Sequence, residues 1–441
     1  MEPVEQPGFG ESEIEALFAP LSSASSIVLA VSGGPDSLAL MLLVRRWRDL
    51  GGARPAVHVL TVDHRLHPRS AEDAEFVVTL AAAQGFTAGV LVRAGSPPLS
   101  GIEAAARAAR YRLLIDAAKD MGASHIVLAH HRDDQAETFL MRLAGGSGVH
   151  GLAAMRRLSE REGLFLFRPF LDIPKARLSR VVRGAGIEAV DDAANRDPRF
   201  LRTKLRAMMP ELARVGLGPE RLTEIARRMA GVAETIDAQA SALLAEAVTV
   251  DEFAVARLAP RRYAEAPDEV RQRALTRLLQ AIGGGAYPPR GERLSGLDRA
   301  LAKSGEIAFR RTLAGVVAER SGDAVFLYRE IGRAGLPVIL VRDVFAGVWD
   351  HRFHIEVRHA GDASLKVGPL GLTGTRKAGS FPSGLPRGAL AALPAIWRRE
   401  KLVGVPVLDG GKGLDGDLNA TARSLIGARI FRPAAGEATV N

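Results

Sequence analysis

Ile27-Val28-Leu29-Ala30-Val31-Ser32-Gly33-Gly34-Pro35-Asp36-Ser37 is the stretch whose reading decides the fold. It opens as an unbroken apolar run, the pattern of a strand buried on both faces. Leu38 to Arg48 then carries apolar residues at helical spacing with no breaker. Between them lies a turn of small residues. Gly33 and Gly34 let the backbone take positive φ and approach an anion closely. Pro35 suits the first helical position, where no N–H is required. The free N–H groups and the positive end of the helix therefore face the loop, and Ser32 and Ser37 add hydroxyls. Asp36 is the odd member. A carboxylate beside an anion site calls for a cation, most simply Mg²⁺ held jointly with phosphate oxygens.

Working outward, strands and helices alternate. Pro55 to Val62 predicts a second strand ending at Asp63-His64, and Ser70 to Gln84 a helix. Thr87 to Val92 predicts a third strand, Gly101 to Met121 a long helix, Ser124 to Ala129 a fourth strand, and Asp133 to Leu143 another helix. Such alternation means βαβ units and a parallel sheet covered on both faces. Polar residues at the strand ends, namely Ser32 to Ser37, Asp63, His64, His130 and His131, then converge on one edge, where ligands bind in open α/β sheets.

Further on, Leu164 to Phe167 predicts a short strand leading to Arg168-Pro169, and Pro174 to Arg183 a helix. A polar loop, Asp191 to Pro198, leads into a basic segment with Arg199, Arg202, Lys204 and Arg206. Such a group is either a solvated helix face or a phosphate-backbone contact. Pro219 to Val248 predicts a long helix, Asp268 to Gln280 and Glu292 to Lys303 two more, and Ile307 to Val317 and Ala324 to Tyr328 strands. Beyond Leu336 lie short β-like runs rich in Gly and Pro, and a basic helix-like segment from Leu390 to Lys401.

At 441 residues the chain exceeds what a single core supports, so two or three domains are expected. The net charge of +9 and pI near 10.2 favour a polyanionic partner, RNA or DNA. The absence of Cys excludes disulfides, thiolate zinc sites, iron–sulfur clusters and a catalytic thiol. The acidic first 20 residues do not form a signal peptide, and no apolar run of about 18 residues exists. A cytoplasmic protein, not a membrane one, is expected.

Two further constellations carry chemistry. Glu103, Arg107 and Arg110 fall at i, i+4 and i+7 on one face of an Ala-rich helix. That spacing often makes a surface ion-pair ladder, but arginine also suits a transferring phosphoryl group. Asp134 and Glu137 share a face at i, i+3, with His130 just before them. Helix capping accounts for one carboxylate, not for two and a histidine pair. Gly146 to Gly151 matches G-x-G-x-x-G but follows a helix, so it reads as a flexible turn; no Walker A sequence occurs.

Ser32 to Ser37 resembles the SGGxDS loop of the PP-loop, N-type ATP pyrophosphatases, which cleave ATP between the α- and β-phosphates. With Thr61 to His64, Glu103, Arg107, Arg110, Tyr111, Ala129 to Thr138, Gly146 to Leu152 and Asp191 to Arg206, the first half resembles the tRNA(Ile)-lysidine synthase family. It departs from that family at Asp192-Ala193-Ala194-Asn195, at Arg202-Thr203 and at Arg65-Leu66. The resemblance implies an α/β fold, with a Rossmann-like parallel-sheet PP-loop domain over 1–215. A mainly helical tRNA-binding domain over 216–332 and a small α+β domain over 333–441 would follow. It also implies adenylation of the wobble cytidine O2 of a CAU-anticodon tRNA(Ile), then attack of L-lysine on C2. ATP and Mg²⁺ are the cofactors, and a homodimer is among the assemblies it allows. ATP would be bound by Ser32, Gly33, Gly34, Pro35, Asp36, Ser37, Val62, Asp63 and Arg107, with Asp36 holding the metal. Asp36, Arg110, His130, Asp134 and Glu137 would be catalytic, and Arg199, Arg202, Lys204 and Arg206 would contact RNA. Other PP-loop tRNA-modifying or amide-forming enzymes remain alternatives, although thiolation and glutamine hydrolysis commonly use Cys. A nonenzymatic RNA-binding protein is the other alternative, and it would have no need of the acidic and arginine set.

Overall fold

A computed structural model describes residues 8–65, 68–94, 102–190, 201–285, 289, 291–303, 308–359, 365–378, 381, 384–408 and 418–431. The chain divides into two compact units, 1–233 and 234–441. The first unit runs α1 (Glu11–Phe18), β1 (Ser26–Ala30), α2 (Pro35–Asp49), β2 (Ala56–Asp63), α3 (Ser70–Ala83), β3 (Thr87–Val92) and α4 (Ile102–Asp120). It continues with β4 (His125–Val127), α5 (Arg132–Ala144), α6 (Val149–Leu152), β5 (Leu158–Arg161), β6 (Leu164–Phe167), α7 (Lys175–Gly184), α8 (Leu201–Arg214) and α9 (Pro219–Ala247), which crosses the boundary.

The sheet order is β3-β2-β1-β4-β6-β5. All pairings are parallel except β5 with β6. After β1 the chain builds outward through β2 and β3, then returns to lay β4 on the other side of β1. The strand order therefore reverses between β1 and β4, and the loops after those two strands part to leave a crevice. β1 is buried at every position because both faces are covered. Ile27, Leu29 and Val31 pack with α2 and with Leu178 and Val182 of α7. Val28 and Ala30 pack with Tyr111, Leu114 and Ile115 of α4. The two sets alternate because successive strand side chains point to opposite faces.

The strands and helices expected before residue 150 are present, with ends within about two residues, the usual scatter of such boundaries. β5 was not expected. Its Leu-Ser-Glu-Arg is polar and lies at the sheet edge, so no apolar run announces it; Glu162 (φ 54°) and Gly163 (φ 86°) supply a two-residue hairpin turn.

The second unit contains β7 (Val248–Val250), β8 (Ala256–Leu258), α10 (Pro260–Glu265), α11 (Asp268–Gly283), α12 (Gly291–Ala302), β9 (Arg310–Leu313), β10 (Val316–Ser321) and β11 (Ala324–Arg329). These strands form an antiparallel sheet in the order β7-β8-β11-β10-β9, so helices are not the whole of this region. The single strand expected over 307–317 is instead two, turned at Ala314 (φ 52°) and Gly315 (φ 74°). Then come β12 (Ile339–Val341), β13 (Val344–Trp349), β14 (Phe353–His359), β15 (Leu365–Pro369), α13 (Gly371–Lys377), α14 (Arg387–Ala391), β16 (Pro394–Arg398), β17 (Lys401–Gly404), β18 (Leu418–Ser424) and α15 (Ile426–Ile430). They make a four-stranded sheet, β12-β15-β16-β17, and a three-stranded one, β13-β14-β18. The helix-like segment expected over 390–401 is corrected. α14 stops, Pro394 opens β16 at a position where a missing N–H is tolerated, and Arg399 (φ 55°) turns the chain into β17. No helix among the described residues is long and apolar enough to cross a membrane.

Candidate active site

The loop after β1 is held by its own residues. The Ser37 hydroxyl donates to the Gly34 carbonyl at 2.9 Å and accepts the Ser32 N–H at 3.1 Å. Ser37 therefore fixes the turn, while the Ser32 side chain lies 3.4 Å from it. Gly33 takes φ 84°, and its carbonyl accepts the Val190 N–H at 3.0 Å, so the segment after α7 clamps the loop. Pro35 opens α2 with Gly34 at its N-cap. No side chain caps α2, so its first N–H groups remain for an anion. Asp36 Oδ2 lies 3.3 Å from His131 Nε2 and 4.0 Å from Lys175 Nζ. Asp36 Oδ1 is buried and has no hydrogen-bond partner among the described residues. Such an atom costs free energy unless something binds it.

His130 and His131 follow β4, and strand alternation sends them to opposite faces. Leu128 N–H donates to the Phe167 carbonyl at 2.8 Å, prolonging the ladder beyond β4. His130 lies within electrostatic reach of Arg168, Arg110, Arg107 and Arg202. Burial first, and then those four cations in that order, hold its pKa well below the ordinary histidine value. Its Nδ1 is buried without a partner among the described residues. His131 is buried among carboxylates instead. Burial opposes its charge, but the hydrogen bond to Asp36 and the fields of Asp134, Asp36 and Asp133 outweigh that and raise its pKa. It also caps α5. His131 Nδ1 accepts the Asp134 N–H at 3.3 Å, and Asp134 Oδ2 accepts the His131 N–H at 3.1 Å. Asp133 Oδ2 accepts the Lys175 backbone N–H at 2.9 Å, tying α5 to the start of α7.

Glu137 lies one helical turn on from Asp134, with a side chain 3% exposed. Arg202 donates to Glu137 Oε2 at 2.5 Å and to Asp134 Oδ1 at 2.7 Å, and Arg206 donates to Glu137 Oε1 at 2.7 Å. Burial alone would raise the Glu137 pKa, but the Arg206 and Arg202 hydrogen bonds reverse the sign and lower it. Two of the arginines expected to face RNA therefore balance carboxylates within the protein. Lys204 is exposed on α8, and Arg199 lies outside the described residues.

Arg107 and Arg110 of α4 approach from the other face. Arg107 lies over the Tyr111 ring at 5.3 Å and donates to its hydroxyl at 3.5 Å. Burial, offset by Tyr111 and reinforced by Arg107, lowers the Arg110 pKa. Val62 and Asp63 end β2, where Asp63 Oδ1 accepts the Arg65 N–H at 2.8 Å and so shapes the turn. Gly146 to Gly151 is not a loose turn throughout. It leads into α6, and Arg142 Nη1 donates to the Gly151 and Ala154 carbonyls at 2.8 and 2.7 Å. Sequence reasoning put His131 at the ligand-binding edge without giving it a task, and assigned no role to Lys175 or Arg168. The alternation after β4 was a usable signal for His131, and the strand end before Pro169 was one for Arg168; Lys175 carried none.

The arrangement joins an anion-binding loop, an unpartnered carboxylate oxygen, a neutral histidine and several guanidiniums. That set can hold a polyphosphate, neutralise charge at phosphorus and accept a proton. The PP-loop domain family matches residues 10–212. A tRNA(Ile)-lysidine synthase of Bradyrhizobium sp. (strain BTAi1) is 44% identical over 71% of this chain and 92% of its own length. That of Rhodopseudomonas palustris is 42% identical over 74% and 96%. That of Brucella anthropi is 33% identical over 92% and 91%, so its likeness extends through the second unit. With a PP-loop domain and relatives matched over nearly their whole length, the chain belongs to the tRNA(Ile)-lysidine synthase family.

Proposed function

We propose that this enzyme uses ATP to adenylate the wobble cytidine of a CAU-anticodon tRNA(Ile) and then joins L-lysine to C2 of that base. The observation that carries the reading is the buried Asp36 Oδ1, without a hydrogen-bond partner among the described residues, in the first turn of α2 after the glycine loop at the switch point of the sheet. The cytosine O2 attacks the α-phosphorus and pyrophosphate leaves. The open N–H groups at the head of α2 hold the β- and γ-phosphates. Ser32, Val62, Asp63 and Arg107 complete the nucleotide site. Arg110, with Arg107, balances the charge that grows at the α-phosphate. Mg²⁺ fits Asp36, whose free oxygen is a hard donor, and when bound it neutralises charge on the departing pyrophosphate.

In the second step the lysine side-chain amine attacks C2 and AMP leaves. The approaching ammonium is drawn by Asp36, Asp134 and Glu137, and Glu137 takes part when Arg202 or Arg206 yields an oxygen to it. His130, uncharged and with Nδ1 unpartnered, is the base suited to take a proton. The base must be splayed out of the anticodon loop to enter the crevice. Arg199, Arg202, Lys204 and Arg206 are assigned to the RNA backbone. The same reading keeps a mainly helical tRNA-binding domain over 216–332, an α+β one over 333–441, a homodimer and a cytoplasmic location; limited proteolysis, light scattering and fractionation test these.

The test is transfer of labelled lysine to unmodified CAU-anticodon tRNA(Ile) in the presence of ATP. Purified protein that released pyrophosphate with this RNA but never fixed lysine would overturn the proposal.

A further inference from the structure

The heads of three helices meet at Asp36. Asp36 stands in the first turn of α2, His131 is the N-cap of α5, and Lys175 is the first residue of α7. α7 is fixed where it begins. The Lys175 N–H donates to Asp133 Oδ2 at 2.9 Å, and the Arg132 N–H donates to the Ile173 carbonyl at 3.0 Å, so two bonds clamp it to the head of α5. Further along, Leu178 and Val182 sit in the core that α2 shares with β1. The backbone at Lys175 is therefore held, while its side chain is 40% exposed.

Lys175 Nζ lies 4.0 Å from Asp36 Oδ2, beyond hydrogen-bond length, and His131 Nε2 stands closer to the same oxygen at 3.3 Å. Among the described residues the Lys175 ammonium makes no hydrogen bond. So loose a pair adds little to stability. What it does is keep a mobile cation at the mouth of the loop, beside the carboxylate whose other oxygen is buried and without a hydrogen-bond partner among the described residues.

We propose that Lys175 binds the β- and γ-phosphates of ATP and the pyrophosphate they become. The proposal rests on the ATP-dependent function assigned above. There, Arg107 and Arg110 serve the α-phosphate, and the β- and γ-phosphates are held at the N–H groups of α2. As the bond from cytosine O2 to the α-phosphorus forms, the bond from that phosphorus to the bridging oxygen breaks. The electron pair leaves with pyrophosphate, whose negative charge grows. The Lys175 ammonium transfers no proton in this step. It turns from Asp36 to the phosphate oxygens, a compact charge on a flexible stem that follows the group as it departs.

The test is calorimetry on the full chain with Mg²⁺, using α,β-methylene-ATP, inorganic pyrophosphate and AMP as probes. Lys175→Met should weaken the analogue and pyrophosphate by about 10- to 100-fold, the worth of one charged hydrogen bond, and leave AMP within about twofold. The chain has no Cys, so Lys175→Cys introduces a single thiol. That variant should show the same loss, and alkylation with 2-bromoethylamine, which restores an ammonium on a stem of nearly the same length, should recover most of the affinity. Unchanged pyrophosphate affinity in Lys175→Met overturns the proposal, as does AMP binding lost in equal measure, which would mark a structural role. If Lys175→Met does not fold, the thiol variant decides: alkylation without recovery sinks the proposal, and recovery upholds it. Tighter L-lysine binding with pyrophosphate unaffected would make Lys175 a competitor for Asp36 instead, and would also overturn it. Wild-type protein that bound none of the three probes would sink the ATP-dependent function itself, an outcome distinct from a variant that matches a wild type able to bind them.

Discussion

At the scale of single residues, the site is organised by which groups have partners and which do not. Asp36 Oδ1 has none among the described residues, whereas Asp134 and Glu137 are engaged by arginines. Asp36→Ala is expected to abolish pyrophosphate release while leaving tRNA affinity nearly unchanged in a filter-binding assay; a large loss of binding would contradict the role given to it. Glu137→Gln removes the carboxylate charge that Arg206 faces and that Arg202 shares with Asp134. It should lower unfolding stability by about 2 kcal/mol in urea melts, an amount reduced because both arginines are partly exposed. The pH dependence follows from the lowered native pKa of Glu137. A carboxylate held below its unfolded value of about 4.3 contributes fully above that value and loses its contribution as pH falls through the native one. Wild type minus Glu137→Gln stability should therefore be flat at neutral pH and shrink in acid below about pH 4. A difference that grew on acidification would reverse the assignment.

At the scale of elements, the strand–loop–helix unit explains why small residues are required. Gly33 sits at φ 84°, and a Cβ there would meet Val190 Cγ2 at 2.8 Å and Val77 Cγ2 at 3.3 Å. Gly33→Ala thus combines a disfavoured backbone with a clash against the clamp that follows α7. It should cost about 1–2 kcal/mol of stability and weaken ATP binding, read by calorimetry. Unchanged ATP affinity would show that the clamp yields without moving the loop. Alternation after β4 is the other element-scale device. Two adjacent histidines meet opposite fields because one backbone step turns the side chain to the other face. The sequence showed the pair, but only the identities of the facing helices gave each its charge.

At the scale of the whole molecule, the +9 charge meets a polyanion. Association with CAU tRNA should fall as salt rises, with a log–log slope of about −3 or steeper, while ATP binding should change far less. A flat response for tRNA would argue against a charged interface. The first unit was legible in the sequence because helix and strand periods alternate cleanly there. The second was less so. Arg310–Leu313 and Val316–Ser321 are divided by two residues at positive φ, and Pro394–Arg398 is a strand although its neighbours read as a basic helix. Short antiparallel strands are set by the partner across the hairpin, which a window along the chain does not contain.

The sequence by itself determined the strand–loop–helix unit, the alternating first unit and the chemical character of the loop from Ser32 to Ser37, because these depend on local periodicity and on conformations open to few residues. Tertiary structure alone decided the partners. It gave Arg202 and Arg206 to Asp134 and Glu137, placed His131 among carboxylates and His130 among arginines, and set the Arg168 guanidinium on the Arg156 carbonyl and the Ser159 hydroxyl. The physical reason is that charge state and hydrogen bonding depend on groups brought together across tens of residues of sequence, and their strength depends on the burial that only the folded chain creates.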